Sequence, residues 1–247
     1  MKRFGLIGRS LSHSFSANYF SKKFETEGLA DHCYNLFELD EPVQLFSLLG
    51  KYPDLRGLNV TIPFKTSILP YLDELDETAS RVNAANTVSI IRSREGLKLK
   101  GFNTDIWGFE NSTDWLDDYK YALILGSGGA AKAVEYVLRK RNVDFLIVSR
   151  NPVSDSEISY RDLSRIIMKK YRMIINTTPL GMYPHTELSP EIPYNLLTSN
   201  HFLYDLIYNP DETIFLQKGN KVGARTMNGL KMLQLQAGKS WEIWNRT

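Results

Sequence analysis

The sequence is poor in the residues that bind structural metals or form covalent cross-links. Among its 247 residues there is one cysteine, Cys33, which excludes a disulfide within the chain. Four scattered histidines and this cysteine do not supply the ligands of a zinc site, and we expect no metal. Cys33 stands between His32 and Tyr34 in a strand-like run, which favours a buried, inert thiol over a nucleophile.

Long runs of one chemical type are also missing. No apolar stretch approaches the roughly 20 residues that a membrane-spanning helix needs. The first residues, MKRFGLIG, predict a strand and no signal peptide. Basic residues number 30 and acidic residues 28, without a long lysine or arginine block, so we expect no nucleic-acid partner. These features predict a cytoplasmic protein with no membrane partner.

Strand and helix patterns alternate along the whole chain, which predicts an α/β fold with parallel sheets. In the first half, strands are predicted over 3–7, 33–38, 57–62, 87–91 and 98–101, and helices over 17–27, 42–49 and 74–81. In the second half, strand-like runs cover 121–126, 144–149, 173–179, 202–208 and 222–227. Their spacing fits successive βα units.

The chain is long enough for two domains of ordinary size. A helix that starts near Asp105 marks a crossover, so we predict a first domain over 1–103 and a second over 104–228. The last helix carries an apolar stripe that suits packing back on the first domain, to which we assign 229–247. This stripe consists of Leu230, Leu233, Ala237, Trp241 and Trp244, and the tryptophans are interpreted as packing anchors.

The second domain opens with a strand, a glycine turn and a helix in the run YALILGSGGAAKAV, 121–134. Gly126, Gly128 and Ala131 fill a pattern in which the backbone approaches a pyrophosphate and helix N–H groups face the phosphates. The next strand ends in Ser149 and Arg150 instead of the acidic residue that binds an NAD ribose, which favours the 2′-phosphate of NADP. The alternatives at these positions are an ordinary tight turn and a solvated arginine.

The first domain has a polar cluster at the end of four predicted segments: SHSFS (12–16), NVTIPFK (59–65), NAANT (83–87) and GFNTD (101–105). Each cluster alone predicts a turn, and Lys65 alone is a typical surface lysine. The same holds for INTTPLGM, 175–182, which is either a lining of the nicotinamide site or a proline turn. Together with YDLIYNP and NGLKMLQLQA, these motifs resemble the shikimate dehydrogenase family over nearly the whole chain.

The resemblance implies an NADP-dependent enzyme that reversibly reduces 3-dehydroshikimate to shikimate in chorismate and aromatic amino-acid biosynthesis. It implies an N-terminal α/β substrate-binding domain, a Rossmann-type domain, a C-terminal helix that returns to the first domain, and a monomer or homodimer. The implied catalytic pair is Lys65 and Asp105. The implied substrate-binding residues are Ser14, Ser16, Thr61, Asn86, Tyr208 and Gln236, and the implied cofactor-binding residues are Glu77, Gly126, Ser127, Gly128, Gly129, Ala130, Ser149, Arg150, Thr177, Leu206 and Gly229.

The chemistry of these residues agrees with the resemblance. A hydride delivered to a ring ketone leaves negative charge on its oxygen, so the site needs a proton donor or a cation there. Lys65 supplies both. The hydroxyls of Ser14 and Ser16 suit a substrate carboxylate that must leave again, because they add no second buried charge.

The sequence departs from the family's pattern at two positions. Ser154 stands where relatives often carry a second arginine, which weakens the expected preference for NADP. The proline usual after Ser16 is absent, which we expect to affect only the start of the helix.

There are three alternatives to this function, the first of them within the same family. A quinate/shikimate dehydrogenase that uses NAD is disfavoured by Arg150 and the paired serines. A protein that binds these ligands without turnover is disfavoured by the presence of both Lys65 and Asp105. A glutamyl-tRNA reductase needs a nucleophilic cysteine and a basic surface, and neither Cys33 nor the net charge of +2 supplies them.

Overall fold

Two six-stranded sheets organise the chain, which the computed structural model describes over residues 1–11, 15–94, 96–113, 116–154 and 156–246. Unit 1 consists of Met1–Trp107 and Gln234–Thr247, and unit 2 of Gly108–Leu233. The predicted boundaries at 103 and 228 lie within a few residues of these transitions. The assignment of substrate binding to one part and cofactor binding to the other stays a prediction.

Strands and helices are interspersed along both halves of the chain, and the predicted α/β fold is confirmed. The strands are β1 (Lys2–Gly8), β2 (His32–Glu38), β3 (Leu55–Val60), β4 (Glu74–Leu75), β5 (Thr87–Ser93), β6 (Gly96–Phe102), β7 (Tyr121–Leu125), β8 (Asp144–Ser149), β9 (Glu157–Ser159), β10 (Met173–Asn176), β11 (Phe202–Asp205) and β12 (Arg225–Met227). The helices are α1 (Phe15–Thr26), α2 (Leu45–Lys51), α3 (Phe64–Ser67), α4 (Glu77–Val82), α5 (Thr104–Ser112), α6 (Gly129–Lys140), α7 (Arg165–Lys170), α8 (Ile214–Lys221) and α9 (Leu230–Arg246). In the described residues, no helix is both long and apolar enough to cross a membrane.

The sheet of unit 1 has the order β2-β1-β3-β5-β6-β4 and is mixed. Strands β1, β2 and β3 pair in parallel, but β5 runs antiparallel to both β3 and β6. The expectation of a wholly parallel sheet is therefore wrong for this unit. Its physical reason is the short connection between β5 and β6, since only antiparallel strands can be joined without a crossover helix.

Two short edge strands, β4 and β9, are not predicted from the sequence. They are two and three residues long, which is too short to show the alternation that marks a strand. The first of them replaces the start of a predicted helix, so that α4 begins at Glu77 and not at 74.

One side of the unit 1 sheet is covered by α1 and the C-terminal part of α9. Trp244 of α9 stacks on Phe4 with ring centroids 4.9 Å apart, and its Nε1 donates to the carbonyl oxygen of Val88 at 3.0 Å. Trp241 packs on the same cluster. The interpretation of the tryptophans as packing anchors is confirmed.

The sheet of unit 2 has the order β12-β11-β10-β7-β8-β9, and all its pairs are parallel. All its strands therefore have their carboxyl ends at one edge, and β7 is the strand from which the order proceeds to both sides. In such sheets ligands bind outside the carboxyl ends, at this switch point. Helix α6, which follows β7, buries Ala131, Val134 and Leu138.

Gly57 of β3 leaves the space that the Trp244 indole fills. A Cβ built on Gly57 would lie 2.3 Å from Trp244 Nε1, so the ring and its hydrogen bond would have to move. We expect Gly57→Ala to destabilise the protein by about 1–3 kcal/mol, the usual cost of overpacking a core. Urea unfolding measures this change.

Gly50→Ala is the matched control. Gly50 lies inside α2, and nothing lies within 4 Å of a Cβ built there. The same added methyl should stabilise this helix by about 0.5–1 kcal/mol, because glycine loses more backbone entropy on folding. Equal effects of the two substitutions would contradict the assigned packing.

Candidate active site

Lys65 and Asp105 form an ion pair inside unit 1. The Lys65 Nζ lies 2.6 Å from Asp105 Oδ2, and the two side chains are 17% and 7% exposed. Charges this well shielded from water persist only when they are paired and hydrogen-bonded, so the pair defines a mostly buried polar centre of unit 1. The surface alternative for Lys65 is wrong.

The backbone around both residues is held by neighbouring strand ends. Lys65 lies in α3, immediately after the segment that follows β3, and its carbonyl oxygen accepts a 2.7 Å hydrogen bond from Ala85 N. Asp105 lies in the first turn of α5, where the positive end of the helix dipole favours a carboxylate. Asn103 Oδ1 accepts from Ile106 N, and Asn103 Nδ2 donates to the carbonyl oxygen of Ala84.

Asn86 and Gln236 extend this centre. Asn86 Nδ2 donates to Asp105 Oδ1 at 2.9 Å and to Gln236 Oε1 at 3.2 Å. Thr104 donates to Asn86 Oδ1 through its backbone N–H at 2.6 Å. Four of the predicted residues, from β3–α3, the start of β5, α5 and α9, therefore meet at one place: Lys65, Asn86, Asp105 and Gln236.

The other predicted substrate residues are distributed differently. Ser16 is buried in α1, and its side chain is a hydrogen-bond partner of the Tyr34 hydroxyl. Thr61 follows β3, and its methyl would lie 2.6 Å from a Cβ built on Gly8. Tyr208 belongs to unit 2. Ser14 lies outside the described residues.

The glycine turn of unit 2 lies at the carboxyl end of β7, the switch point of its sheet. Gly126 has φ +101°, and a Cβ built there would lie 2.9 Å from Thr178 Cγ2. Gly128 caps the twelve-residue helix α6, and nothing lies within 4 Å of a Cβ built on it. This open backbone, continued by Ser127, Gly129 and Ala130, fits the pyrophosphate of a dinucleotide.

Ser149 and Arg150 lie at the carboxyl end of β8, next to this turn in the sheet order. Ser149 Oγ accepts from Asn151 N, and the Arg150 side chain is exposed. Burial raises the pKa of Tyr160, and the positive charge of Arg150 partly opposes this rise. An exposed guanidinium in this position is free to pair with a phosphate.

The remaining cofactor candidates lie near the neighbouring strands, except one. Thr177 Oγ1 donates to the Leu125 carbonyl oxygen at 2.7 Å, directly before the glycine turn. Leu206 and Gly229 touch, since a Cβ on Gly229 would lie 2.1 Å from Leu206 O. Glu77 lies in unit 1, where it is exposed and pairs with Arg81.

Asp205, at the end of β11, is a buried residue that the sequence reasoning missed. Its Oδ1 accepts from Asn176 Nδ2 and Ile207 N, and its Oδ2 from Thr213 Oγ1. Burial raises the pKa of Asp205 to about 6, although these three hydrogen bonds oppose the rise. The carboxyl group thereby ties the loop after β10 to the loop after β11, which carry Thr177 and Leu206.

The two remaining expectations concern Cys33 and metals. Cys33 is partly rather than fully buried, and burial raises the pKa of its thiol, which disfavours the nucleophilic thiolate. Over the described parts of the chain, no three histidine, cysteine or acidic side chains cluster as a metal site would require.

The chain is similar to shikimate dehydrogenases in both sequence and structure. A family model described as the shikimate dehydrogenase substrate binding domain matches residues 6–88. A shikimate dehydrogenase (NADP(+)) from Methanococcus maripaludis is 38% identical over 98% of this chain and 91% of its own length. Shikimate dehydrogenase 1 from Peptoclostridium difficile has a solved structure that is 36% identical, with a TM-score of 0.88 over 100% of this chain and 92% of that chain. Shikimate 5-dehydrogenase from Thermus thermophilus, solved with NADP(H) and shikimate, is 28% identical, with a TM-score of 0.85 over 100% of this chain and 94% of that one.

The raised pKa of Asp205 predicts a pH-dependent stability. The folded protein holds this proton up to about pH 6, whereas an unfolded aspartate loses it near its usual 3.8. The stabilisation is therefore fully present below about pH 4 and is lost as the pH rises through about 6. Asp205→Asn, which keeps a neutral group of the same shape, should gain on wild type by about 2–3 kcal/mol between pH 4 and pH 7.

Urea unfolding of both proteins across this pH range measures the difference. Asp144→Asn, which removes an exposed carboxylate from the same unit, controls for the loss of charge. If the stability difference between wild type and Asp205→Asn does not change with pH, the buried carboxyl group does not titrate as assigned.

Proposed function

Since the chain belongs to the shikimate dehydrogenase family, we propose that it catalyses the NADP-dependent, reversible reduction of 3-dehydroshikimate to shikimate. The observation that carries this proposal is the enclosed Lys65–Asp105 pair, to which Asn86 adds an amide donor. The product serves chorismate and aromatic amino-acid biosynthesis. We further propose a cytoplasmic enzyme, monomeric or homodimeric, that binds a small-molecule substrate and no nucleic acid.

The proposed chemistry centres on the ketone oxygen. NADPH, when bound, supplies the hydride that reduces the ring carbonyl carbon. The oxygen gains negative charge as that bond forms, and the Lys65 ammonium donates a proton to it. Asp105 holds the ammonium in place through Oδ2 and accepts from a neighbouring ring hydroxyl, so that the proton donor is oriented before the reaction.

Substrate recognition is divided between the two ends of the ring. Thr61, Asn86 and Gln236 would contact its hydroxyls. Ser14, Ser16 and Tyr208 would bind the carboxylate, where hydroxyl donors compensate one buried negative charge without adding another. The cofactor would lie on the glycine turn of unit 2, with its 2′-phosphate at Arg150 and its nicotinamide end near Thr177, Leu206 and Gly229; Glu77 remains the least supported of these assignments.

An absorbance assay at 340 nm, which follows the reduced nicotinamide, tests this function. Shikimate and quinate are each combined with NADP and with NAD. We expect the highest kcat/KM for shikimate with NADP. Faster turnover of quinate with NAD would favour the alternative dehydrogenase, and binding of shikimate without any turnover would favour a binding protein.

Lys65→Met should keep the fold and bind NADP but lower kcat by about 10²–10⁴, the usual contribution of a positioned acid or base. KM for shikimate should change much less, because the lost interaction strengthens toward the transition state. Lys51→Met, which removes an exposed lysine of unit 1, is the control. A kcat like that of wild type would exclude Lys65 from the chemistry.

Arg150→Asp should invert the cofactor preference. Because Ser154 replaces a second arginine, one guanidinium carries most of the 2′-phosphate recognition, so wild type should prefer NADP by about 10–150-fold. A carboxylate at 150 repels that phosphate and accepts hydrogen bonds from an NAD ribose. The ratio of kcat/KM for the two cofactors measures the change.

Arg172→Asp provides the matched control, because it makes the same charge change before the amino end of β10. We expect it to leave the cofactor ratio unchanged. The same ratio in Arg150→Asp as in wild type would mean that Arg150 is only a solvated residue at a strand end.

A further inference from the structure

Ser240 is a fully buried hydroxyl one turn after Gln236 on α9, and it is the junction of a hydrogen-bond network. Its Oγ accepts from Asn59 Nδ2 at 2.9 Å and donates to the Gln236 carbonyl oxygen at 3.0 Å. It also lies 2.7 Å from Thr87 Oγ1 and 3.2 Å from Thr104 Oγ1. This buried serine joins four elements, β3, β5, α5 and α9.

The direction of each hydrogen bond near the ion pair follows from two groups with fixed roles. The backbone N–H of Thr104 can only donate, so the Asn86 atom facing it is the carbonyl oxygen Oδ1. The ionised Asp105 can only accept, so it faces Asn86 Nδ2. Asn86 Nδ2 donates its second hydrogen to Gln236, so the Gln236 atom that faces it is the acceptor Oε1.

Gln236 is oriented as a consequence. Its Oε1 also accepts from Thr104 Oγ1 at 3.2 Å, so both contacts hold the same side of the amide. Within the described residues, Gln236 Nε2 has no protein partner, and it is left to donate to a ligand. Thr104 Oγ1 uses its hydrogen for this bond, so it is an acceptor toward Ser240, whose single hydrogen is shared between Thr104 Oγ1 at 3.2 Å and the Gln236 carbonyl oxygen.

The network continues away from the ion pair to the predicted carboxylate end of the substrate site. Asn59 Oδ1 accepts from the Tyr34 hydroxyl at 2.8 Å, and Asn59 Nδ2 also donates to Thr87 Oγ1. The Tyr34 hydroxyl in turn forms a hydrogen bond with Ser16. Burial strongly raises the pKa of Tyr34, so its hydroxyl stays a neutral donor. Tyr34 and Asn59 thereby connect Ser16 to Ser240 without any additional charge.

We propose that Ser240 is a positioning residue for the reduction, because its hydroxyl holds Thr104 Oγ1, which donates to Gln236 Oε1 beside the Lys65–Asp105 pair. The proposal rests on the proposed function of that pair. Loss of the hydroxyl leaves Asn59 Nδ2 with a weaker set of acceptors and lets Thr104 turn toward the vacated space. The Gln236 amide then keeps only its contact with Asn86, and the donor to the substrate hydroxyl is less well oriented.

Ser240→Ala tests this role in the intact chain with shikimate and NADP. We expect kcat/KM for shikimate to fall about 5- to 20-fold, the order of one lost hydrogen bond, with KM for NADP unchanged. Ser112→Ala is the matched control, since Ser112 is a fully buried serine of unit 2 whose hydroxyl pairs with Tyr204. That variant should lose stability without a comparable change in kcat/KM.

Ser240→Thr separates positioning from folding. It keeps the hydroxyl but adds a methyl at a fully buried position, so it should lower the urea midpoint while retaining more turnover than Ser240→Ala. A double-mutant cycle that combines Ser240→Ala with Gln236→Ala adds a second readout. If Ser240 acts through Gln236, removing both side chains should reduce kcat/KM little more than removing Gln236 alone.

The outcomes are distinguishable from failure of the proposed function. A wild-type protein that does not turn over shikimate overturns the proposed function. An active wild type whose kcat/KM is the same in Ser240→Ala and Ser112→Ala overturns the positioning role. Fully additive effects of Ser240→Ala and Gln236→Ala overturn it as well.

Discussion

A carboxylate removed from water must be surrounded by donors, and the interior of unit 1 is arranged around this requirement at Asp105. Lys65 supplies one charged donor, Asn86 supplies an amide, and the start of α5 supplies the favourable end of a helix dipole. These donors are held in place by further hydrogen bonds, as Asn86 is by Thr104 and Gln236. The buried polar residues around Asp105 therefore form one connected set instead of isolated pairs.

Under the proposed function, unit 2 meets a different requirement, an open backbone that a phosphate can approach closely. Gly126 provides the left-handed turn, and Gly128 leaves the start of α6 uncovered. The loops after β10 and β11 must then keep their shape without covering that turn. Asp205 holds them from within the protein, which explains why a carboxyl group is tolerated at a fully buried strand end.

Local pattern and long-range contact were predictable from the sequence to very different extents. The bounds of β8 agree with the predicted strand because its apolar run is continuous, and most other strands agree within a few residues. The mixed sheet could not be predicted, because periodicity does not encode the direction of pairing. The pairing of Lys65 with Asp105 was predicted only through the resemblance, while Ser240 was missed because its partner Asn59 is 181 positions away.

The position of α9 in the chain has a consequence for the order of folding. Its C-terminal part fills the space beside Gly57 and Phe4, but it follows the whole of unit 2 in the sequence. During synthesis the first strands leave the ribosome without Trp244 to cover them and without Ser240 to pair with Asn59. All strands of unit 2 are therefore synthesised before unit 1 receives the segment that completes its core, although unit 2 begins second in the sequence.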